Sequence, residues 1–157
     1  MALEAVVLAA GTGSRFGGGK LLAPWRGGVL LDGALAAAFA APVRRVWVVT
    51  GADAERVAEA AQAFAAQAGE GGRLSLVHAP NHAEGMGASL RTAIAALPAD
   101  TAAAFVFLGD MPKVPHDLAG RLAEALAGRD AAAPVRHGRR GNPVLLGRAL
   151  FPDLLRL

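Results

Sequence analysis

Four short runs rich in Val, Leu and Phe stand at residues 3–9, 45–50, 74–79 and 103–108. Their apolar residues are consecutive rather than alternating, which is the pattern of strands buried on both faces. Between and after them, apolar residues recur at helical spacing: Leu31, Leu35 and Phe39; Val57, Ala61, Phe64 and Ala68; Met86, Leu90, Ile94 and Leu97; Leu118, Leu122 and Leu126. Strand and helix therefore alternate, and this order predicts an α/β domain, a Rossmann-like three-layer αβα unit with a mostly parallel sheet. Asp53 is placed to cap the second helix, Gly69 to stop it, and the fourth helix is expected over residues 115–128.

The rhythm changes after residue 130. Residues 134–136 and 143–146 flank a polar, glycine-containing stretch at 137–142, which predicts a β-hairpin or a pair of strands around a loop. The chain then enters a helical pattern at Leu150, Leu154 and Leu157 and stops inside it. The expectation is one domain over residues 1–157, truncated at its C-terminus.

Length agrees with one domain, since 157 residues are enough to bury a core and few for two. Much of the 54% hydrophobic content is alanine, and aromatic residues make up only 5%, so small side chains must let helices approach the sheet closely. The absence of cysteine removes disulfides, thiolate metal sites and a cysteine nucleophile together, leaving oxygen or imidazole as metal ligands. Glu4 stands where a signal peptide would carry a basic region, and Gly11 ends the first apolar run after a strand's length. No run approaches the ~20 apolar residues of a membrane span. A cytoplasmic protein with no membrane partner is expected. The net charge of +3 leans toward anionic ligands, but without a dense basic stripe interleaved with aromatics no nucleic-acid partner is expected.

In open α/β sheets ligands bind where loops leave the carboxyl ends of strands, and the first exit is the richest. Residues 9–20 hold five glycines with Arg15 and Lys20. Such a loop brings backbone N–H groups close to a polyphosphate whose charge the two cations neutralise, although a flexible surface turn has the same composition. A Walker A loop is excluded because Ser14 stands where its first glycine belongs and Leu21 replaces its hydroxyl residue. A dinucleotide fingerprint from Gly11 is excluded because Phe16 fills its third glycine position. Asp110 directly follows the strand at 103–108, so its carboxylate either meets a magnesium ion bridging phosphates or caps the following turn. Ser89 and Arg91 lie near a helix start, where they contact an anion or form an exposed polar face. Asn81 and His82 reach the nucleotide or shape their turn, and none of the four histidines is assigned a catalytic role. Arg136, Arg139 and Arg140 suit a phosphorylated acceptor or a solvated hairpin.

The segment Leu8-Ala9-Ala10-Gly11-x-Gly13-x-Arg15-Phe16-Gly17-x-x-Lys20 resembles the signature of the MobA-like nucleotidyltransferases, and most closely the molybdenum cofactor cytidylyltransferases. Phe16 departs from the methionine often found there. Residues 85–91 resemble the family's second nucleotide-side segment, residues 107–112 its metal-binding turn, and Gly141-Asn142-Pro143-Val144 its substrate-side motif. Four motifs in family order cover nearly the whole chain. The resemblance implies nucleotide contacts from Leu8, Ala9, Ala10, Gly11, Thr12, Gly13, Ser14, Arg15, Lys20, Ser89 and Arg91. It implies catalytic roles for Arg15, Lys20 and Asp110, magnesium (Mg2+) on Asp110, and acceptor contacts from Asn142 and Pro143.

The function implied is transfer of a nucleotidyl group, CMP from CTP being favoured, to a molybdopterin-type acceptor with release of pyrophosphate, and a molybdoenzyme as a downstream partner. Ala10 resembles the cytidylyl branch, where the guanylyl branch carries glycine. The alternatives are a cytidylyl or uridylyl transferase for another phosphorylated acceptor, and a non-enzymatic nucleotide-binding accessory protein for molybdoenzyme maturation. Relatives resembling this chain continue into a Gly-Asp stretch with a second acidic ligand, which nothing here matches. Asp32, Asp53 and Asp117 are the substitutes in principle, although each looks like a helix-start residue.

Overall fold

In the computed structural model, residues 1–11 and 19–157 are described. The chain runs through β1 (Leu3–Ala9), β2 (Pro24–Trp25), β3 (Gly28–Val29), α1 (Leu30–Ala40), β4 (Val46–Thr50), α2 (Ala54–Ala68) and β5 (Leu74–His78). It continues through α3 (Met86–Ala96), β6 (Ala103–Leu108), α4 (Leu118–Leu126), β7 (Ala131–Ala132), β8 (Val135–Arg136) and β9 (Arg139–Arg140). It closes with β10 (Val144–Gly147) and α5 (Phe151–Leu154).

Among the described residues the main sheet has six strands in the order β5-β4-β1-β6-β10-β7. The β5, β4, β1 and β6 pairings are parallel, and β10 runs antiparallel between β6 and β7. The four strands expected from apolar runs are the parallel core, and the sheet is mixed rather than uniform because the chain returns through β10.

Alternation along β1 divides the core into two layers. Ala5, Val7 and Ala9 pack with Leu31, Leu35, Val57, Phe105, Phe107 and Leu122, which places α1, α2 and α4 on one face. Val6, Leu8 and Ala10 pack with Val49, Ala93 and Val106, which places α3 on the other. Alanines dominate the helix surfaces turned to the sheet, among them Ala34, Ala37, Ala38, Ala61 and Ala65. Their small side chains allow the close helix–sheet approach that the composition anticipated.

Glu4 is the exception on β1. It is fully buried, and its carboxylate accepts from Arg44 Nε at 2.5 Å and Trp47 Nε1 at 2.8 Å. Arg44 also donates through both terminal nitrogens to Asp100 at 3.0 Å each, tying together the amino ends of β1, β4 and β6. A buried carboxylate is tolerated because it is paired and hydrogen-bonded.

Several local expectations need correction. Asp53 holds the N-cap position of α2 but adopts a left-handed backbone (φ 54, ψ 37), and its side chain makes no capping bond. An N-cap side chain reaches the helix N–H groups from an extended backbone; here the carboxylate lies 3.7 Å from Arg56 instead. Gly69 does stop α2 in the left-handed conformation, its N–H returning to Ala65 and Ala66. Helix α4 is shorter than expected because residues 115–117 form a separate turn, Leu118 N–H donating to Pro115 O. The late segment splits: Val135 and Arg136 pair with Arg140 and Arg139 around His137-Gly138, while residues 144–147 join the main sheet. Both turn residues have positive φ, 52 and 76, as a two-residue hairpin demands.

Candidate active site at the switch in strand order

From β1 the connection leads to β4 on one side, and the later strand β6 lies on the other, so strand order switches between β1 and β6. The carboxyl ends of these strands are where an open α/β sheet offers its ligand crevice. Here β1 delivers Ala10 and Gly11, and β6 delivers Gly109 and Asp110. The two exits are fastened by Gly109 N–H donating to Leu8 O at 3.0 Å, and Met111 N–H donating to Leu108 O at 3.1 Å turns the chain beyond Asp110.

A cleft of about 340 Å³ opens at this point. Its lining includes Leu8, Ala10, Gly11, Lys20, Ser89 and Asp110, which the sequence singled out from three separate segments. Across it, Lys20 Nζ lies 3.4 Å from Asp110 Oδ2, both side chains a little over two-fifths exposed. This contact joins residues ninety positions apart. The Asp110 carboxylate thus meets a cation across the cleft, and α4 begins eight residues later at Leu118.

The turn carrying Asp110 is braced from behind. A Cβ on Gly33 of α1 would sit 2.4 Å from Pro112 Cβ and 2.5 Å from Pro112 O, so only glycine lets α1 contact this turn so closely. Asp32 beside it accepts from Val29 N–H at 3.1 Å, at the start of α1. Asp117 lies 3.6 Å from Arg121. With Asp53 turned to Arg56, each of these aspartates has a local partner.

The remaining expected residues divide. Ala9 has its side chain buried in the opposite core layer, so only its backbone belongs to the loop. Arg91 donates to the main-chain oxygen of Leu157 and is not in the cleft lining among the described residues. Asn142 Nδ2 donates to Val106 O at 3.3 Å, across a cis bond to the buried Pro143. Because Val144 pairs with Val106 in the antiparallel register, extending the ladder brings Asn142 to the carboxyl end of β6, beside the Asp110 turn. The β8–β9 hairpin joins β7 to β10 at this same sheet edge, with Arg136, Arg139 and Arg140 exposed. Thr12, Gly13, Ser14 and Arg15 lie outside the described residues.

The cleft also contains residues beyond those that the resemblance implies. Leu21, Leu108 and Met86 supply apolar walls, Met86 being 61% exposed at the start of α3. His82 enters from the loop after β5. The available signal was its position just beyond a parallel strand, the same logic that pointed to Asp110. Asn81 Oδ1 beside it is buried and has no hydrogen-bond partner among the described residues.

A metal fits this donor set in one way. Among the described residues no three His, Asp or Glu side chains converge. Asp110 is a single carboxylate donor on the wall of the cleft. That suits a hard divalent cation held by one carboxylate and completed by phosphates and water, rather than an all-protein cage. Among the described residues no helix is long and apolar enough to cross a membrane.

Comparison with known proteins agrees with this geometry. Residues 5–157 match the family described as the MobA-like NTP transferase domain. The chain is 29% identical over 147 residues to the molybdenum cofactor cytidylyltransferase of Escherichia coli, spanning 94% of this chain and 71% of that protein. A crystal structure of a Mycobacterium tuberculosis protein superposes with a TM-score of 0.85 at 27% identity, covering 100% of this chain and 77% of the other. That protein's complex with manganese superposes at 0.78 and 25% identity, with the same coverage. A nucleotidyl transferase from Methanothermobacter superposes at 0.76 and 28% identity, covering 99% and 76%.

Proposed function

Because the chain belongs to the MobA-like NTP transferase family, we propose that it transfers CMP from CTP to a phosphorylated, molybdopterin-type acceptor and releases pyrophosphate. The observation that carries the proposal is the meeting of Lys20 and Asp110 at 3.4 Å in a cleft floored by Ala10 and Gly11. The reaction joins a terminal phosphate oxygen of the acceptor to the α-phosphorus of CTP while the α–β bridging bond breaks, and the pyrophosphate departs with the electron pair. No protein nucleophile is needed, so positioning and charge neutralisation supply the acceleration.

Each residue has a part in that scheme. Backbone N–H groups at Ala10 and Gly11 begin the phosphate cradle, which the glycine-rich segment with Arg15 continues. Lys20 leaves Asp110 for the distal phosphates when CTP enters, which frees the Asp110 carboxylate that would hold a divalent cation. Mg2+ bound there would neutralise charge building on the phosphates. Ser89, buried on α3, faces the nucleotide side. Asn142 and Pro143, with the cationic hairpin, receive the acceptor's phosphate. Arg91 belongs to the scheme only if it leaves Leu157. The preference for CTP rests on Ala10, which lines the cleft and packs with Val49, Ala79 and Ala93; we assign to its methyl group the narrowing of the nucleoside side. We place the reaction in the cytoplasm and its product with a molybdoenzyme.

Calorimetric titration with CTP and GTP in magnesium tests the nucleotide assignment. The expected outcome is CTP binding that GTP displaces only weakly. Equal competition by GTP contradicts the CTP preference, and absence of any triphosphate binding contradicts the proposal as a whole.

A further inference from the structure

The mechanism leaves one polar side chain in the cleft without a task. His82 stands on the loop after β5, outside the four motifs, and its ring is part of the cleft wall. Its Nδ1 lies 3.0 Å from Ala79 O. A main-chain carbonyl only accepts, so Nδ1 carries the proton, and in the neutral ring Nε2 presents a bare lone pair. Nothing among the described residues donates to that nitrogen.

The ring is also held in place. His82 N–H donates to the same Ala79 O at 3.2 Å, and Ala79 N–H donates to Thr50 O at 2.8 Å, which registers the loop to the end of β4. Gly51 leaves the space the side chain occupies: a Cβ there would lie 2.6 Å from His82 Cγ and 2.6 Å from Ala10 O. The stem of His82 and the carbonyl that opens the phosphate loop are thus neighbours across one glycine. With Nδ1 committed and the stem packed, the imidazole offers one acceptor in one orientation, which is how a binding group is preorganised.

Position indicates which part of the ligand it meets. Asp110 leaves β6, whereas His82 lies over the exit of β4, two strand spacings away, or about 10 Å. A group that far from the metal-binding carboxylate lies beyond the phosphates, on the nucleoside. Resting on the nucleotidyl-transfer reading above, we propose that His82 is a specificity residue whose Nε2 accepts a hydrogen bond from the nucleoside half of the triphosphate. The donor is an exocyclic base amine or a ribose hydroxyl.

His82→Phe keeps a planar ring over Gly51 and removes the acceptor, while His82→Gln keeps a polar group of similar reach. Both variants and the parent chain are titrated in magnesium with CTP, UTP, 2′-deoxy-CTP and 3′-deoxy-CTP, and with pyrophosphate as a probe of the phosphate half alone. Loss of one neutral hydrogen bond lowers affinity about three- to tenfold. The expectation is that loss for CTP in His82→Phe, pyrophosphate binding within twofold of the parent, and partial recovery in His82→Gln. If the base amine is the donor, the substitution erases the preference for CTP over UTP; if a ribose hydroxyl is, it erases the preference over one deoxynucleotide. Unchanged CTP affinity, an equal loss for pyrophosphate, or a loss that leaves every preference intact overturns the assignment. Failure of the parent chain to bind CTP defeats the underlying functional reading instead, so the two failures are distinct.

Discussion

Lys20 and Asp110 form an ion pair that is too exposed to matter much for stability, since such pairs contribute about 0–1 kcal/mol. Their value lies in what each does when they separate. Lys20→Ala is expected to weaken CTP binding about tenfold to a hundredfold, the worth of a charge-assisted contact of about 1.5–3 kcal/mol, while CMP binding changes little. Calorimetry with both nucleotides checks this, and equal losses would place Lys20 away from the distal phosphates. Asp110→Asn keeps the side chain's shape but removes its attraction for a hard cation. Melting temperature should hold within a few degrees while magnesium-dependent pyrophosphate release falls to background. Ala10→Gly tests the third contact: removing the methyl beside the nucleoside should let GTP compete with CTP more strongly in a displacement titration.

At the scale of elements, the parallel strands and the helices that follow them were legible because each is long enough to show its period. Asp110 was legible because it directly follows an apolar strand. What escaped were the pieces too short to have a period: the β2–β3 hairpin turns through Arg26 and Gly27, both with positive φ, between arms of two residues each. The choice between hairpin arm and separate strand for residues 144–147 stays open in the sequence for another reason. An apolar run of four fits either role, and only its pairing with β6 decides. For His82 the sequence leaves two readings, nucleotide contact or turn shaping, because its place depends on Gly51 and Ala79, which neighbour it only in the fold. Helix α1 supports the site through Gly33, so Gly33→Ala should force α1 away from Pro112. A loss of about 1–3 kcal/mol is expected from such overpacking, read by denaturant melts, together with reduced turnover as the Asp110 turn shifts. Unchanged stability and turnover would show that the contact is not a brace.

Over the whole molecule, chemistry and stability occupy opposite ends of one sheet. The cleft lies at the carboxyl ends of the parallel strands, and the Glu4–Arg44–Asp100 network ties their amino ends. Hydrogen bonding to Arg44 holds the Asp100 carboxyl below its usual range. A depressed folded-state value means that the contribution is present above the unfolded value, near pH 4, and is lost as pH falls through the folded one. Asp100→Ala should therefore melt below the parent at pH 7, with the gap closing in acid and CTP affinity unaltered. A gap that does not narrow as pH falls below the unfolded value would contradict the ion-pair account. The central claim, nucleotidyl transfer, is tested most directly by measuring pyrophosphate release from each of the four nucleoside triphosphates in magnesium, with and without a molybdopterin acceptor. The account predicts release from CTP above the other three and only when acceptor is present; triphosphate binding with no acceptor-dependent release from any of the four would contradict it.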